Sequence, residues 1–271
     1  MLLEARGLHK SFRKTTGLLT DTGAAVEGPG EGHHIAAVDG VSLELAPGET
    51  LAVVGESGCG KTTLARLLLR LIEPDAGELH FAGHDLLAAR GAELQSLRRE
   101  MQMVFQDPFA SLDPRMRVAE IVEEPLKIHE RRLGSAERRR RAAEMLERVG
   151  LAADSLGRLP HEFSGGQRQR IGIARALILR PRLVVADEPV AALDVSVGAQ
   201  ILKLLAELQR EMGLTLVLIS HSLPVVAQLA TRIAVMLAGR FVEVGSAEQV
   251  LGQPAHTYTQ ALIAAVPRLV A

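Results

Sequence analysis

Apolar and polar positions along the chain predict strands that alternate with helices. Residues 50–54 and 183–186 are short apolar runs, which are typical of strands buried on both faces of a sheet. Residues 61–72 repeat leucine at helical spacing, which predicts an amphipathic helix soon after the first run. The same reasoning predicts further strands over 2–12, 41–45, 214–220, 233–237 and 240–244, and helices over 165–179 and 195–212. This alternation indicates a mostly parallel sheet covered by helices.

Two stretches interrupt the alternation. Residues 15–34 are rich in Gly and Thr and lack apolar periodicity, so we expect a surface loop. The adjacent His33 and His34 are better explained as part of that solvated loop than as metal ligands. Residues 93–157 are charged and helical in pattern, and they predict a second lobe. The basic run 138–141 lies within helical reach of acidic residues, which favours a mixed solvated face over a nucleic-acid site.

Composition and charge narrow the class of partner. The chain has 31 basic and 32 acidic residues, and aromatic residues make up only 3% of it. Near-neutral charge and few rings for base stacking argue against a nucleic-acid partner. A single cysteine excludes a disulfide framework and a multi-cysteine metal site. No apolar run is long enough to cross a bilayer, and the N-terminus lacks the pattern of a secretion signal, so we expect the chain to stay where it is made.

A glycine-rich loop follows the strand at 50–54. Residues 55–62 read G-E-S-G-C-G-K-T and fit the pattern G-x-x-x-x-G-K-[ST]. Backbone N–H groups of such a loop bind phosphate oxygens, Lys61 reaches the outer phosphates, and the Thr62 hydroxyl can ligate Mg²⁺. Because a strand precedes the loop and a helix follows it, we predict a nucleoside triphosphate site. Cys59 lies inside the loop, where a small filler is the preferred interpretation and a reactive thiol of lowered pKa is the alternative.

Two acidic residues end the apolar strand at 183–186. Asp187 is placed to hold the Mg²⁺ shell, and Glu188 is placed to polarise an attacking water as general base. A helix cap is the alternative explanation for two acids at a strand end. The phosphate loop upstream favours the catalytic one.

A second glycine-rich segment opens another helix. Residues 163–167 read F-S-G-G-Q, and the exposed N–H groups at such a helix start make an anion site. One nucleotide does not require two such sites. Either the chain holds two sites, or the second serves the nucleotide of another subunit.

Six motifs make the chain resemble the ATP-binding subunit of an ABC transporter, and they span residues 38–244 in the family's order. They are the Walker A loop (55–62), the Q-loop (Gln106), the ABC signature (163–167), the Walker B strand with its catalytic glutamate (183–188), the D-loop (192–194) and the switch histidine (His221). The signature is usually L-S-G-G-Q, so Phe163 stands in place of leucine.

The resemblance implies an α/β fold, that of a P-loop NTPase of the ABC ATPase type with a RecA-like α/β core, an antiparallel β subdomain and a helical subdomain. It places the ABC ATPase domain at 1–252, its helical subdomain at about 108–165 and a short C-terminal helical tail at 253–271. It also implies a head-to-tail dimer in which ATP lies between the Walker A loop of one subunit and the signature of the other. Ser164 and Gly166 would then complete the site of the partner.

The resemblance also implies which residues do the chemistry. Glu188 would activate water, His221 would contact the γ-phosphate, and Gln106 would sense Mg²⁺ and the water. ATP and Mg²⁺ are the implied cofactors, with Thr62, Gln106 and Asp187 around the metal. The residues implied to contact ATP are Phe12, Gly55, Ser57, Gly58, Cys59, Gly60, Lys61, Thr62, Thr63, Asp187, Ser164, Gly165, Gly166, Gln167 and Asp194.

Three stretches, 101–114, 187–200 and 254–262, resemble importers of oligopeptides, dipeptides and nickel. The implied partners are a second ABC ATPase subunit, identical or related, two membrane permease subunits and, indirectly, a substrate-binding protein, with no nucleic acid. The chain would be a peripheral subunit on the cytoplasmic face of the inner membrane. Phe109 is the candidate anchor for a permease helix, because a large apolar side chain on an exposed loop is typical of a hot spot. Peptides, nickel and metal chelates all stay open as cargo.

Some positions carry alternatives. Phe12 is the candidate for stacking on adenine, and an ordinary core residue is its alternative. Ala191 stands where serine is frequent, and Ser222 stands where aspartate frequently follows the switch histidine. None of these departures removes a group that does chemistry, so we expect the chain to hydrolyse ATP.

Two other function classes compete with an importer subunit. The first is a soluble ABC-type ATPase acting in nucleic-acid or translation processes. Members of that class that act in translation usually carry two cassettes in one chain, and those that act in DNA repair insert long coiled coils. This chain has one cassette, and Ser164 follows Gly55 by only 109 residues, which leaves no room for such an insertion. The second is a P-loop kinase or GTPase, which has no use for the second phosphate-binding helix start.

Overall fold

The computed structural model describes residues 1–13, 34–107 and 111–265. The strands are β1 (Leu3–Arg13), β2 (His34–Leu45), β3 (Thr50–Val54), β4 (Ala76–Phe81), β5 (His84–Asp85), β6 (Met101–Val104), β7 (Leu183–Asp187), β8 (Thr215–Ser220), β9 (Arg232–Leu237) and β10 (Arg240–Ser246). The helices are α1 (Lys61–Leu68), α2 (Gly91–Glu100), α3 (Val118–His129), α4 (Ser135–Arg148), α5 (Gly165–Leu177), α6 (Val195–Met212), α7 (Leu223–Ala227), α8 (Ala247–Gly252) and α9 (Thr257–Ala264). The predictions for His33 and Phe109 lie outside the described residues.

The larger sheet has six strands in the order β10-β9-β3-β8-β7-β6. Its strands run parallel except β10, which pairs antiparallel with β9 at one edge. Every residue of β3, β7 and β8 is buried, which explains why these strands are apolar without alternation. The predicted mostly parallel sheet is confirmed.

Two hydrophobic cores lie on opposite faces of this sheet. In β3, Leu51 and Val53 pack into the core that includes α1 and the first strands of the chain. Ala52 and Val54 pack into the other core, with apolar residues of α3 to α6. Successive side chains of a strand point to opposite faces, so alternate residues of β3 contribute to the two cores. The loop that follows β3 therefore begins at a strand that is buried on both faces.

The smaller sheet is antiparallel and has the order β2-β1-β4-β5. It corresponds to the antiparallel β subdomain that the resemblance implies. Its strand β2 reaches the larger sheet through Asp39, whose N–H donates to the carbonyl of Gly239 in the β9–β10 turn at 2.9 Å. This contact brings β2 beside the loop that follows β3.

Several elements differ from the sequence predictions. Strand β6 lies inside the stretch predicted to be helical, because four residues are too few to show a period and the strand follows α2 without a break. Helix α1 ends at Leu68 rather than at residue 72, and Arg70 beyond it has a left-handed φ of +47°. His34 begins β2 instead of closing a loop. Strands β4 and β5 have no counterpart in the prediction.

The helices between β6 and β7 pack mainly on one another. Helix α3 contacts α4 and α5, and two 3₁₀ turns, Ala153–Gly157 and Pro160–Glu162, lead from α4 into α5. After β10 the chain continues through α8 and α9, whose apolar residues pack against the core that contains α3 to α6. Across the described ranges, every helix falls short of the length and apolarity that a bilayer crossing needs.

Candidate functional site

The glycine-rich loop lies between β3 and α1, as its motif predicts. A side chain at Gly60 would place its Cβ 1.9 Å from the carbonyl oxygen of Ala37 in β2. At Gly55 the Cβ would lie 2.2 Å from the carbonyl oxygen of Met236 in β9. Both neighbours are backbone atoms, which cannot move aside as a side chain can. Glycine is therefore required at both positions by close packing.

Lys61 is the first residue of α1, and its side chain is buried. The ammonium group donates hydrogen bonds to the carbonyls of Gly55 and Glu56, both at 2.8 Å. The lysine therefore lies back along its own loop, and its charge is held at the centre of the loop. A fixed cation in a glycine-rich loop at the start of a helix is suited to binding phosphate.

Cys59 is a buried component of the same loop. Burial raises the pKa of its thiol, which is opposite to the shift that a reactive thiol requires. Its carbonyl accepts a hydrogen bond from the N–H of Gly239 at 2.9 Å, so the β9–β10 turn supports the loop. The interpretation of Cys59 as a small filler fits these contacts, and the reactive-thiol alternative does not.

Asp187 ends β7 beside the loop. Its Oδ1 accepts a hydrogen bond from the hydroxyl of Thr62 at 3.2 Å. The carboxyl is buried, and this burial raises its pKa. Two hard oxygen donors thus meet at one point next to the phosphate loop, and such a pair suits Mg²⁺, which also takes phosphate oxygens and water. Within the described ranges, no group of three His, Cys, Asp or Glu residues gathers to form a metal centre of protein ligands alone.

Three residues predicted to be catalytic meet at one carboxylate oxygen. Oε2 of Glu188 accepts from Nε2 of Gln106 at 3.2 Å and lies 3.1 Å from Nδ1 of His221. The three residues follow β6, β7 and β8, which are parallel neighbours in the sheet. Their side chains therefore converge at the carboxyl edge of the sheet, where ligands of α/β proteins bind.

The backbone at Glu188 is strained. Its φ is +44°, which is uncommon for a residue with a side chain. The conformation is held by the N–H of Glu188, which donates to the carbonyl of Ile219 at 2.9 Å. Glu188 directly follows the last residue of β7, and its side chain is only 12% exposed.

An open cavity of about 290 Å³ contains most of these groups. It is lined by Ala37, Ser57, Gly58, Gly60, Lys61, Thr62, Thr63, Gln106 and Glu188. A larger cavity of about 710 Å³ lies between α2 and the end of α3, and its lining has neither the glycine loop nor the paired acids. Chemistry, not size, therefore identifies the smaller cavity as the candidate site.

The signature segment lies apart from this cavity. Ser164 and Gln167 are exposed and satisfy one another at the start of α5: the Gln167 N–H donates to the Ser164 hydroxyl at 3.3 Å, and the Ser164 N–H donates to the Gln167 side chain at 3.0 Å. Gly166 is buried against Val197 of α6. Gly165 is half-buried beside them, and Asp194 is exposed at the start of α6. None of these residues lines the cavity of about 290 Å³.

Phe12 lies on β1, and 46% of its surface is exposed. The alternative interpretation of Phe12 as a core residue is therefore wrong. It pairs across the sheet with Ile35, two residues from the Ala37 that lines the cavity. The ammonium of Lys10 lies 5.8 Å from the centre of the ring. An exposed ring on a strand beside the phosphate loop is compatible with stacking on a base.

One contact to the phosphate loop has no counterpart in the sequence predictions. The hydroxyl of Tyr258, in α9, accepts a hydrogen bond from the N–H of Glu56 at 3.1 Å. The segment 254–262 drew attention only through its resemblance to importers. No local pattern reveals a contact between residues so far apart along the chain.

Comparison with known proteins agrees with this geometry. The family model for the ABC transporter matches residues 38–191. The dipeptide transport ATP-binding protein DppF of Haemophilus influenzae is 51% identical over 99% of this chain and 79% of its own length. The oligopeptide transport ATP-binding protein OppF of Salmonella typhimurium is 52% identical over 85% of this chain and 69% of its own length.

A solved structure shows the same fold. The ATP-binding cassette MJ0796, in a dimeric post-hydrolysis state bound to ADP and Pi, aligns with a TM-score of 0.77 at 30% identity. The alignment covers 90% of this chain and 98% of that one. The predicted fold class, an α/β P-loop cassette, is thereby confirmed. The chain belongs to the ABC transporter family, and it is an ABC-type ATPase.

Proposed function

We propose that this chain is the ATP-hydrolysing subunit of a peptide importer. The observation that carries the proposal is the convergence of Gln106 and His221 on one oxygen of Glu188, at the strand edge next to the phosphate loop. The relatives named above transport dipeptides and oligopeptides, which favours peptides over nickel or metal chelates as cargo.

ATP binding would use the loop and the strand beside it. The N–H groups of 57–63 and the ammonium of Lys61 would hold the phosphates, and Phe12 would stack on the adenine. Thr62 and Asp187, with Gln106 nearby, would hold Mg²⁺, which would neutralise charge on the outer phosphates. The single buried carboxylate fits this task because the phosphates supply the remaining negative ligands.

Hydrolysis would depend on Glu188. Its carboxylate faces the cavity and is placed to accept a proton from the attacking water, a role typically worth about 10²–10⁴-fold in rate. Gln106 and His221 hold one of its two oxygens, which leaves the other free to face the water. The amide of Gln106 would also report whether the site is filled, because it bridges the cavity and the segment that leads to α3.

The signature segment would serve a second ATPase subunit. Ser164, Gly165, Gly166 and Gln167 present a helix N-terminus at the surface, where it favours negative charge. No residue of the segment lines the cavity on its own chain. A head-to-tail pair, with Asp194 near the junction, would place the segment over the partner's ATP. The dimeric state named for MJ0796 supports such a pair.

A permease helix would dock in an apolar groove on the opposite flank of Gln106. Three large apolar residues, Leu71, Phe105 and Ile128, are 49%, 42% and 47% exposed. They line a cavity of about 340 Å³ between the end of α1, β6 and α3. Exposed apolar patches mark interaction sites. Because Phe105 precedes Gln106, movement of a helix in the groove would reach Glu188 directly.

The proposed domain bounds, location and partners are those expected of an importer subunit. The ATPase domain would span 1–252, with the helical subdomain at about 108–165 between the Q-loop and the signature, and the tail would span 253–271. The chain would be a peripheral subunit on the cytoplasmic face of the inner membrane. Its partners would be a second ATPase subunit, two permease subunits and, through them, a substrate-binding protein.

The test is to co-purify the chain with its membrane subunits and binding protein, and to identify by mass spectrometry the ligand that the binding protein carries. We expect peptides, and ATP hydrolysis in proteoliposomes that rises when a dipeptide mixture is added. Bound nickel or a metal chelate would correct the cargo. Tight binding of RNA or DNA at physiological salt, without association with permeases, would overturn the proposal in favour of a soluble ABC-type ATPase.

A further inference from the structure

One peptide unit of the phosphate loop is held from both sides. The carbonyl of Gly55 accepts a hydrogen bond from the ammonium of Lys61 at 2.8 Å. The N–H of the same peptide, which belongs to Glu56, donates to the hydroxyl of Tyr258 at 3.1 Å. Because a peptide unit is planar, fixing its N–H also fixes the direction of its carbonyl. Tyr258 thus helps to set the acceptor on which Lys61 rests.

The tail that carries Tyr258 is anchored independently of the loop. The two carboxylate oxygens of Glu243, on β10, accept from the N–H groups of Ala255 and His256 at 2.8 and 2.9 Å. Nδ1 of His256 in turn accepts from the N–H of Tyr258 at 3.1 Å, which caps α9. The start of α9 is therefore fixed to the large sheet, and Tyr258 reaches the loop from a rigid support.

The contact depends on the hydroxyl of Tyr258 rather than on its ring. The ring packs against the core that contains α3 to α6. A tyrosine hydroxyl is protonated at neutral pH, burial raises the pKa of Tyr258 further, and the lone pairs of the hydroxyl accept the hydrogen bond. Glu56 is exposed, so water can replace the hydroxyl when it is absent. What would be lost is the fixed direction of the peptide, not the hydrogen bonding of a buried group.

We propose that Tyr258 is a positioning residue for ATP binding: it holds the Gly55–Glu56 peptide and thereby the phosphate-binding Lys61. The inference rests on the proposed ATP-hydrolysing function and adds to it a role for the C-terminal tail. The tail is then part of the nucleotide site, because the direction of one loop peptide depends on α9.

The direct test is Tyr258→Phe, which keeps the ring and its packing and removes only the hydroxyl. We expect the Kd for a fluorescent ATP analogue to rise about 2- to 10-fold, the loss typical of one hydrogen bond. In the assembled transporter, the KM for ATP should rise by a similar factor while kcat stays unchanged. The matched control is Gln260→Ala on the same helix, whose side chain donates to the carbonyl of Pro254 at 3.0 Å. That control should bind the analogue as the wild type does.

A second variant tests whether Tyr258 acts through the Gly55–Glu56 peptide. Glu56→Pro removes the N–H donor of the same peptide, so Tyr258→Phe should weaken binding no further in that background. The thermal unfolding of each variant without nucleotide shows that it is folded. The inference is wrong if Tyr258→Phe binds the analogue as tightly as the wild type, or if its effect is undiminished in the Glu56→Pro background. A wild-type chain that binds no ATP would overturn the proposed function instead.

Discussion

The phosphate loop and the signature segment use the same local chemistry in different surroundings. Each places glycines and exposed N–H groups at the start of a helix, α1 in one case and α5 in the other. The phosphate loop is enclosed by its own chain: Lys61 is buried, and β2 and β9 press against the glycines. In the signature segment, Ser164 and Gln167 are exposed, and their side chains cap the start of α5 through bonds to each other's backbone N–H groups.

The phosphate loop is part of a site that its own chain assembles, whereas the signature segment presents the start of a helix at the surface. Around the phosphate loop, the ends of three neighbouring strands supply Gln106, Glu188 and His221. The signature residues 163–167 do not line the cavity of about 290 Å³ that holds the phosphate loop, Gln106 and Glu188. A helix N-terminus favours an anion in both places, and the phosphate loop also lies beside Glu188, the proposed base. In the proposed function, the phosphate loop therefore serves catalysis on its own chain, and the signature segment completes the ATP site of a partner subunit.

The largest expected effect comes from removing the base at the phosphate loop. Glu188→Gln keeps the size of the side chain but cannot accept a proton from water. We expect ATP hydrolysis to fall by about 10²–10⁴-fold while ATP binding persists. Turnover is measured with the assembled transporter, and binding with a fluorescent ATP analogue. Turnover near that of the wild type would remove Glu188 from the role of base.

The second prediction tests whether the signature segment serves the ATP site of the partner subunit. Ser164→Arg should lower turnover by about 10²-fold, as loss of a well-placed anion donor does. Because the damage would fall on the partner's site, a mixture with Lys61→Ala should regain activity. In a mixed pair, the intact phosphate loop of one chain would meet the intact signature of the other.

The contrary result is equally sharp. If each chain used its own signature, every site in the mixture would carry a lesion, and no activity would return. The control is each variant alone, which should stay inactive at the same total concentration. If the second ATPase is a related chain, the two substitutions are placed on the two different chains.

The third prediction compares glycines at the two segments. Gly60→Ala would push a Cβ to within 1.9 Å of a backbone carbonyl at a φ of +111°, so it should lower the free energy of unfolding by about 3 kcal/mol or more. Gly166→Ala would meet the side chain of Val197 at 2.4 Å. Val197 is only partly buried and can shift at some cost although it is β-branched, and alanine favours the helix by about 1 kcal/mol, so the net cost should be smaller, about 1–2 kcal/mol. Equal losses in urea unfolding would contradict the view that the phosphate loop is enclosed more tightly by its own chain than the signature segment is.

The sequence predicts best where burial or a local motif decides the structure. Residues 51–54 of β3 and 183–186 of β7 are all apolar because both faces of these strands are covered, and the phosphate loop is a motif of eight consecutive residues. Strand β6 was hidden because its four residues follow α2 directly. Strand β4 begins with three exposed residues and has no uniform apolar pattern.

The site was predictable in parts and not as an assembly. Each motif could be read on its own, but the meeting of Gln106 and His221 at Glu188 depends on the order of β6, β7 and β8 in the sheet. Sequence order does not fix sheet order, so only the family resemblance could anticipate that meeting. The contact of Tyr258 with Glu56 has no local signal at all, because a single hydroxyl from a distant helix carries it.

The smallest expected effect concerns Asp75, which forms a brace with Lys10 and Ser11 next to Phe12 on β1. Asp75 accepts hydrogen bonds from Lys10 and from the N–H of Ser11, both at 2.7 Å, and these bonds lower the pKa of Asp75 from 3.8 to about 2. A pKa that folding lowers adds stability above the ordinary pKa, and this stability is lost as the pH falls through 3.8 towards 2. Asp75→Asn should therefore cost at most about 1 kcal/mol at neutral pH, because the carboxylate is partly exposed.

The pH dependence separates this brace from ordinary surface pairs. The difference in free energy of unfolding between wild type and Asp75→Asn should shrink as the pH falls from 3.8 to about 2 and vanish only below that pH. The matched substitution on the helical side, Asp113→Asn, removes a local pair with Arg115 that needs no tertiary fold, so it should leave stability unchanged. A constant difference at all pH values would mean that Asp75 stabilises β1 by shape rather than by charge. Asp75 would then act through hydrogen bonds that do not depend on its charge, as the side chains of Ser164 and Gln167 do at the start of α5.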